Sequence, residues 1–126
     1  MINAKAASDF IARLLNGVTM FHMHHFMVTG QGSFAKHLGL GELYASIEEL
    51  ADGLAEEVIG TYDLPMGWSG EIKFTLTGNP IADTQALYDY VEANRSVLGA
   101  KSHIQNSVDG LCTALAHALY KLRRLQ

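Results

Sequence analysis

The stretch that decides the fold is FHMHHFMVTGQGSFAKHLGLGELYASIEELADGLAEE, Phe21–Glu57. Its first half holds four of the chain's six histidines, and its second half holds six of the thirteen carboxylates. Gly30 and Gly32 interrupt two apolar series that have helical spacing, and glycine commonly ends a helix. The stretch therefore predicts two helices joined by a short turn, with histidines on both sides of the turn and carboxylates farther along the second helix.

The apolar positions extend this prediction in both directions. The first helix is predicted from Asn3 to Thr29, and the second from Ser33, as its N-cap, to about Gly60. About four residues separate the two helices, so we expect them to form an antiparallel hairpin.

The next segment, 61–79, breaks the helical period with Pro65 and nearby glycines and then alternates apolar and polar residues. We expect an extended crossing there, with room for a short strand, that returns the chain to the other end of the hairpin.

Two further helices follow the crossing. Asn79 as cap and Pro80 in the first turn begin a third helix that runs to Gly99. Ser102 and Gln105 form a capping-box pattern at the start of a fourth. The predicted fold class is all-α: a ferritin-like four-helix bundle with one long crossover that contains an extended segment, in one domain of residues 1–126.

The composition and charge of the chain argue against several kinds of partner. The 126 residues carry a formal net charge of -4, and the only basic cluster is KLRR near the C-terminus. Nucleic acid is therefore an unlikely partner, because phosphate binding needs lysines and arginines together on one face. Cys112 is the single cysteine and looks like a small core residue in a reducing compartment. We find no signal peptide and no apolar run long enough to span a membrane, so we expect a cytoplasmic protein with no membrane partner.

Four residues of the opening stretch have the chemistry of a metal site. His25 and His37 flank the turn, while Asp52 and Glu56 are four residues apart and share one face of the second helix. Asp52 lies about 22 Å along that helix from His37 at about 1.5 Å per residue, so one chain cannot bring all four together. Two chains packed antiparallel across a two-fold axis can, and imidazole with carboxylate suits Fe(II) or, without redox chemistry, zinc. An ordinary solvated helix face is the alternative explanation of the carboxylates.

These residues resemble the Dps family, the miniferritins. His25 is followed at the family's intervals by Gly30 and His37, and DGLAE supplies Asp52 and Glu56. The resemblance implies a homo-oligomer, a dimer at least and in the family typically a hollow dodecamer, in which His25 and His37 of one subunit and Asp52 and Glu56 of the other bind iron. It implies that these four residues catalyse ferroxidation, Fe(II) oxidation by hydrogen peroxide or oxygen, with iron storage and protection from oxidative stress.

The sequence departs from the family pattern at three positions. Phe26 stands where the family has tryptophan, Gly41 where it often has an acidic residue, and Glu57 where it usually has arginine. These departures keep a second hypothesis open: a ferritin-like structural or interaction protein with an inactive or zinc-binding site. A third, a DNA-compacting protein, would need a basic N-terminal arm, and MINAKAASDF has none.

The remaining histidines and methionines receive simpler interpretations. His22 shares a face with His25 and is a possible neighbour of the metal site. His24 points elsewhere. The series Met20, Met23 and Met27 is predicted to fill the core, because methionine in a bundle helix usually does so.

Overall fold

The computed structural model describes residues 1–125 and is all-helical. Its four α-helices are α1 (Ala4–Met27), α2 (Ser33–Tyr62), α3 (Pro80–Asn94) and α4 (Ser102–Arg124), and a short 3-10 helix, Arg95–Leu98, follows α3. No strand occurs within residues 1–125. The prediction of an all-α chain with four helices is confirmed, and the strand allowed for in the crossing is not formed. None of the helices described is long and apolar enough to cross a membrane.

Two of the predicted helix starts agree with the structure to within one residue, and an asparagine caps each of these helices. The Asn3 side chain caps α1 by accepting a hydrogen bond from the backbone N–H of Ala6, at 2.9 Å. Asn79 caps α3 in the same way, accepting from two backbone N–H groups, and Pro80 occupies the first turn. Proline is suited to that position because its missing N–H would have no partner there.

The other two predicted caps are wrong. The residue before α2 is Gly32, which has a φ of 79° and supplies no side-chain cap, and Ser33 is already helical. The residue before α4 is Lys101, and Ser102 is already helical. The amide of Gln105 donates instead to the backbone oxygens of Arg95 and Gly99. The Gln105 side chain is therefore engaged in a tertiary contact and does not form the predicted capping box.

The four helices surround one apolar core. Around it, α1 packs against α2 and α3, and α4 packs against the same two helices, which places α1 and α4 on one diagonal. The largest fully buried side chains come from all four helices and include Phe10, Phe21, Leu40, Ile47, Leu54, Leu87 and Leu111. Burying each such side chain contributes about 1.5–3 kcal/mol, so this core dominates the stability of the chain.

The crossing between α2 and α3 is anchored at both of its ends. Near its start, the backbone N–H of Gly67 and the indole N–H of Trp68 donate to the side chain and the backbone oxygen of Ser8, at 3.3 and 2.8 Å. Near its end, the N–H and the hydroxyl of Thr77 both donate to Asp83, at 3.1 and 2.8 Å. Ser8 lies at the start of α1, and Asp83 contacts His24 at its end.

Candidate metal centre

The turn between α1 and α2 brings His25 and His37 into direct contact. Gly30 and Gly32 both have positive φ, 84° and 79°, a backbone conformation that glycine adopts without strain. The sharp turn that results sets the last turn of α1 beside the start of α2. The two imidazole rings stack with their centroids 3.6 Å apart and their planes inclined by 22°.

Two reciprocal hydrogen bonds fix the orientation of these rings. Nδ1 of His25 lies 2.8 Å from the backbone oxygen of His37, and Nδ1 of His37 lies 2.9 Å from that of His25. A carbonyl oxygen only accepts, so each Nδ1 carries the proton and donates it. In a neutral ring the lone pair then belongs to Nε2, which has no hydrogen-bond partner within residues 1–125 for either histidine. An Nδ1–H bound to a carbonyl is the usual support of a histidine that binds metal through Nε2.

The same hydrogen bonds also stabilise the hairpin. The His25 carbonyl belongs to the last turn of α1, where carbonyl groups lack a partner within the helix. His37 supplies that partner. The pair therefore has a structural role whether or not it binds metal.

Aromatic groups surround His25 on its outer side. The centroid of the His22 ring lies 4.3 Å from that of Tyr44 and 5.0 Å from that of Phe26, both stacked, and 6.0 Å from that of His25 in an edge-on arrangement. Gly41 lies on another side of His25, where a Cβ added to it would be 3.4 Å from Cε1 of the imidazole. His22 is thus a neighbour of the candidate ligand, as its spacing predicted.

The two carboxylates lie on the same helix as His37 but far from it. Asp52 and Glu56 are both exposed. Glu56 is rotated by about 180° from the buried Ile47 at about 100° per residue, so it faces away from the core. Over the part of the chain that the structure describes, no three His, Cys, Asp or Glu side chains gather closely enough to hold a metal ion. One chain thus brings together the two histidines but does not bring the carboxylates to them.

The outward face of the hairpin is unusually apolar. Large side chains at least 42% exposed occur on both of its helices: Leu15, Met23, Phe26, Met27, Phe34, Leu38 and Ile59. Phe26 and Phe34, at 73% and 74%, flank the histidine end. The prediction that Met20, Met23 and Met27 fill the core is correct only for Met20, because the other two are 42% and 48% exposed.

Glu57 has a local partner within the chain. Its side chain turns toward α4, where one oxygen accepts a hydrogen bond from the hydroxyl of Ser107 at 2.9 Å. Its other oxygen is buried without a partner within residues 1–125. The acidic residue at this position therefore contributes to the contact between α2 and α4, whereas Asp52 and Glu56 face outward.

A second histidine contact, which the sequence did not predict, lies inside the core between His24 and Asp83. His24 is 1% exposed, and its Nε2–H donates to Asp83 at 2.7 Å. Burial favours a raised pKa for Asp83, but the hydrogen bonds from His24 and Thr77 outweigh it and hold the pKa below the ordinary value. The carboxylate is therefore ionised at neutral pH.

A periodicity in α1 could have revealed this buried histidine. Its core positions Ala7, Phe10, Leu14, Gly17, Phe21 and His24 are separated alternately by three and four residues. That spacing defines one helix face, and His24, not His25, continues it. His25 is half-buried at the edge of that face.

Comparison with known protein families shows which family the chain belongs to. The chain belongs to the family of unknown function DUF5856, whose model matches residues 25–122. The matched range begins at His25 and includes all four candidate metal ligands. Searches of curated proteins and of solved structures found no match.

Proposed function

We propose that this protein is a Dps-like miniferritin that binds Fe(II) at a site shared between two subunits and oxidises it, storing the ferric product and limiting peroxide damage. The observation that carries the proposal is the His25–His37 pair. Both rings are held by Nδ1 and leave Nε2 for a metal. The packing of the helices also supports it, because α1 and α4 on one diagonal, with a crossing anchored near both ends of α1, fit a ferritin-like bundle with a long crossover.

A second copy of the chain would complete the site. In an antiparallel dimer, the histidine end of each hairpin meets the carboxylate end of its partner, so the interface contains two equivalent sites. Ala45 is exposed and lies about midway along α2 between His37 and the two carboxylates. The two α2 helices would cross there, and a small side chain at the crossing permits a close approach. The exposed Phe26, Phe34 and Ile59 would be buried in the same contact.

The ligand set suits oxidation of bound Fe(II). Carboxylates stabilise Fe(III) more than Fe(II), and neutral imidazoles complete a mixed nitrogen and oxygen shell. The resemblance to the Dps family implies that Glu56 would anchor the iron, that Asp52 would complete its shell, and that the histidines would set the occupancy. One hydrogen peroxide accepts two electrons, so two Fe(II) and two protons yield two Fe(III) and two water molecules.

Anaerobic titration with Fe(II), followed by hydrogen peroxide, tests the ligand set. The wild-type protein should saturate at about two sites per dimer and then oxidise the bound iron faster than buffer does. Asp52→Asn with Glu56→Gln should abolish both. Glu49→Gln is the matched control, since Glu49 is an exposed carboxylate of α2 that lies in the groove beside α4. A protein that sediments as a monomer at micromolar concentration would contradict the shared site.

Mixing two inactive variants tests the sharing itself. One variant carries His25→Ala and His37→Ala, and the other carries Asp52→Asn and Glu56→Gln. In a mixed dimer one site receives intact histidines and intact carboxylates, and the other site receives neither. Random exchange makes half of the dimers mixed, so about one quarter of the wild-type ferroxidase activity should return. A site built within one chain would recover none.

A specific observation favours the alternative, a ferritin-like structural protein with an inactive or zinc-binding site. Gly41 supplies no carboxylate beside His25, and the reciprocal hydrogen bonds give both histidines a structural role without metal. In this case the dimer would form and would bind Zn(II) or no metal. Iron added to it would oxidise no faster than in buffer.

A further inference from the structure

A cleft lies between α1 and the crossing. It has a volume of about 770 Å³, within the range that binds small molecules. Its lining comes from one face of α1, from Tyr90 on α3 and from the first part of the crossing, and includes Arg13, Trp68 and Lys73. The cleft does not depend on the proposed metal function.

The crossing forms one wall of this cleft. Its anchors at Trp68 and Thr77 leave the segment 69–76 between them, and no hydrogen bond ties that segment to the rest of the described chain. Phe74 and Leu76 pack against the core. Glu71 and Lys73 instead line the cleft, where they form an ion pair with each other at 3.6 Å, and both side chains are more than four-fifths exposed.

Two flat groups line the cleft, the ring of Trp68 and the guanidinium of Arg13. The Trp68 ring is held in place by its bond to Ser8 and yet remains 46% exposed. The guanidinium carbon of Arg13 lies 5.2 Å from the centre of the Tyr90 ring. A guanidinium stacked in this way keeps its in-plane N–H groups available for a carboxylate or phosphate. Within residues 1–125, Arg13 has no carboxylate partner, whereas Lys5 is paired with Asp9.

The charge of the cleft is opposite to that of the chain. Lys5, Arg13 and Lys73 contribute three positive charges, and Asp9 and Glu71 contribute two negative ones, which leaves +1. The whole chain carries -4. Burial raises the pKa of Tyr90, with Arg13 opposing, so its hydroxyl stays a neutral hydrogen-bond donor.

We propose that this cleft binds a small molecule that carries a carboxylate or phosphate next to a flat aromatic ring. Arg13 receives the anion and Trp68 stacks on the ring. Aromatic carboxylates and nucleoside monophosphates share this chemistry. Lys73, whose exposed ion pair with Glu71 is weak, adds a second contact to the anion from the wall formed by the crossing.

Trp68 is the only tryptophan of the chain, so its fluorescence reports on the cleft directly. The wild-type protein should give a saturable change with benzoate or with AMP, at half-saturation below about 1 mM. Whichever of benzoate and AMP binds more tightly shows whether the ligand is an aromatic carboxylate or a nucleoside monophosphate. Benzamide, which has the ring without the charge, and inorganic phosphate, which has the charge without the ring, should each bind at least about tenfold more weakly.

Variants decide whether the named residues hold the ligand. Arg13→Gln should weaken binding about tenfold and Lys73→Gln about threefold. Arg124→Gln, at an exposed arginine of α4, should leave it unchanged. Circular dichroism confirms that each variant is folded, and calorimetry repeats the titrations without the fluorophore. The proposal is overturned by absence of saturable binding of both probes in calorimetry, by equal binding of benzamide, or by an Arg13→Gln protein that binds as tightly as wild type.

Discussion

His24 and His25 follow each other in the chain and have opposite environments. His24 is 1% exposed, in the core, and donates to the carboxylate of Asp83. His25 is half-buried at the outward face and donates to the backbone oxygen of His37. A helix turns by about 100° per residue, so neighbouring residues naturally divide between two faces. Because His24 is paired with a buried carboxylate and His25 leaves its Nε2 without a partner within residues 1–125, of these two neighbours only His25 is a candidate metal ligand.

The largest expected loss of stability comes from breaking the buried pair of His24 and Asp83, here called the inner pair. Asp83→Ala leaves His24 buried without its acceptor and removes the carboxylate that holds Thr77. We expect a loss of about 3 kcal/mol in the free energy of unfolding, measured by urea denaturation. Asp89→Ala, at an exposed carboxylate of the same helix, is the control and should cost less than about 1 kcal/mol. A small effect of Asp83→Ala would show that the pair contributes little to the fold.

The inner pair should also give the stability a dependence on acid pH. The pKa of Asp83 is lowered from 3.8 in the folded chain, although burial opposes this, because His24 and Thr77 bind the ionised form. Below 3.8 the unfolded chain binds the proton first. The stabilisation is therefore fully present above pH 3.8 and is lost as the pH falls through the lower, folded value. The difference in unfolding free energy between wild type and Asp83→Asn should be constant above about pH 5 and shrink below that window. A difference that does not vary with pH would rule out an ionised Asp83.

A contact in this fold could be predicted from the sequence when its residues lie close together in the chain, and could not when they lie far apart. Glycines at 30 and 32 and the helical spacing around them correctly place His25 beside His37, because both lie close to one turn. The contact of His24 with Asp83 joins residues 59 apart in the chain and needs the end of the crossing to be placed first. The same limit explains Gln105, which has the spacing of a capping box and yet binds the end of α3. In the proposed site Asp52 and Glu56 would reach the histidines only through a second chain, whose position no pattern within one chain fixes.

The pair of His25 and His37 at the outward face, here called the outer pair, should respond differently to substitution. Its loss should reduce Fe(II) binding more than it reduces the stability of the chain. Alanine at His25 or His37 removes one half-buried hydrogen bond and should cost about 1 kcal/mol each. Asparagine places an amide N–H near the position of Nδ1 but has no atom at Nε2. His25→Asn with His37→Asn should therefore keep most of the stability and lose Fe(II) binding. Denaturation and anaerobic Fe(II) titration of the same samples separate the two roles. Retention of iron binding by the asparagine variant would exclude Nε2 as the ligand atom.

The smallest expected effect on stability, and the sharpest test of the outer site, is at Gly41. A Cβ there would lie 3.4 Å from the His25 ring, which is an ordinary contact, and replacing a helical glycine adds up to about 1 kcal/mol of stability. Gly41→Asp would place a carboxylate beside His25, where the Dps pattern often has one. We expect the number of Fe(II) ions bound per chain to rise from about one to about two in anaerobic titration, with faster oxidation by peroxide because two electrons become available at one site. Gly41→Ala, which adds only the Cβ, should match the stability gain and leave the stoichiometry unchanged. If Gly41→Asp binds no more iron than Gly41→Ala, the histidine pair does not form half of a two-iron site.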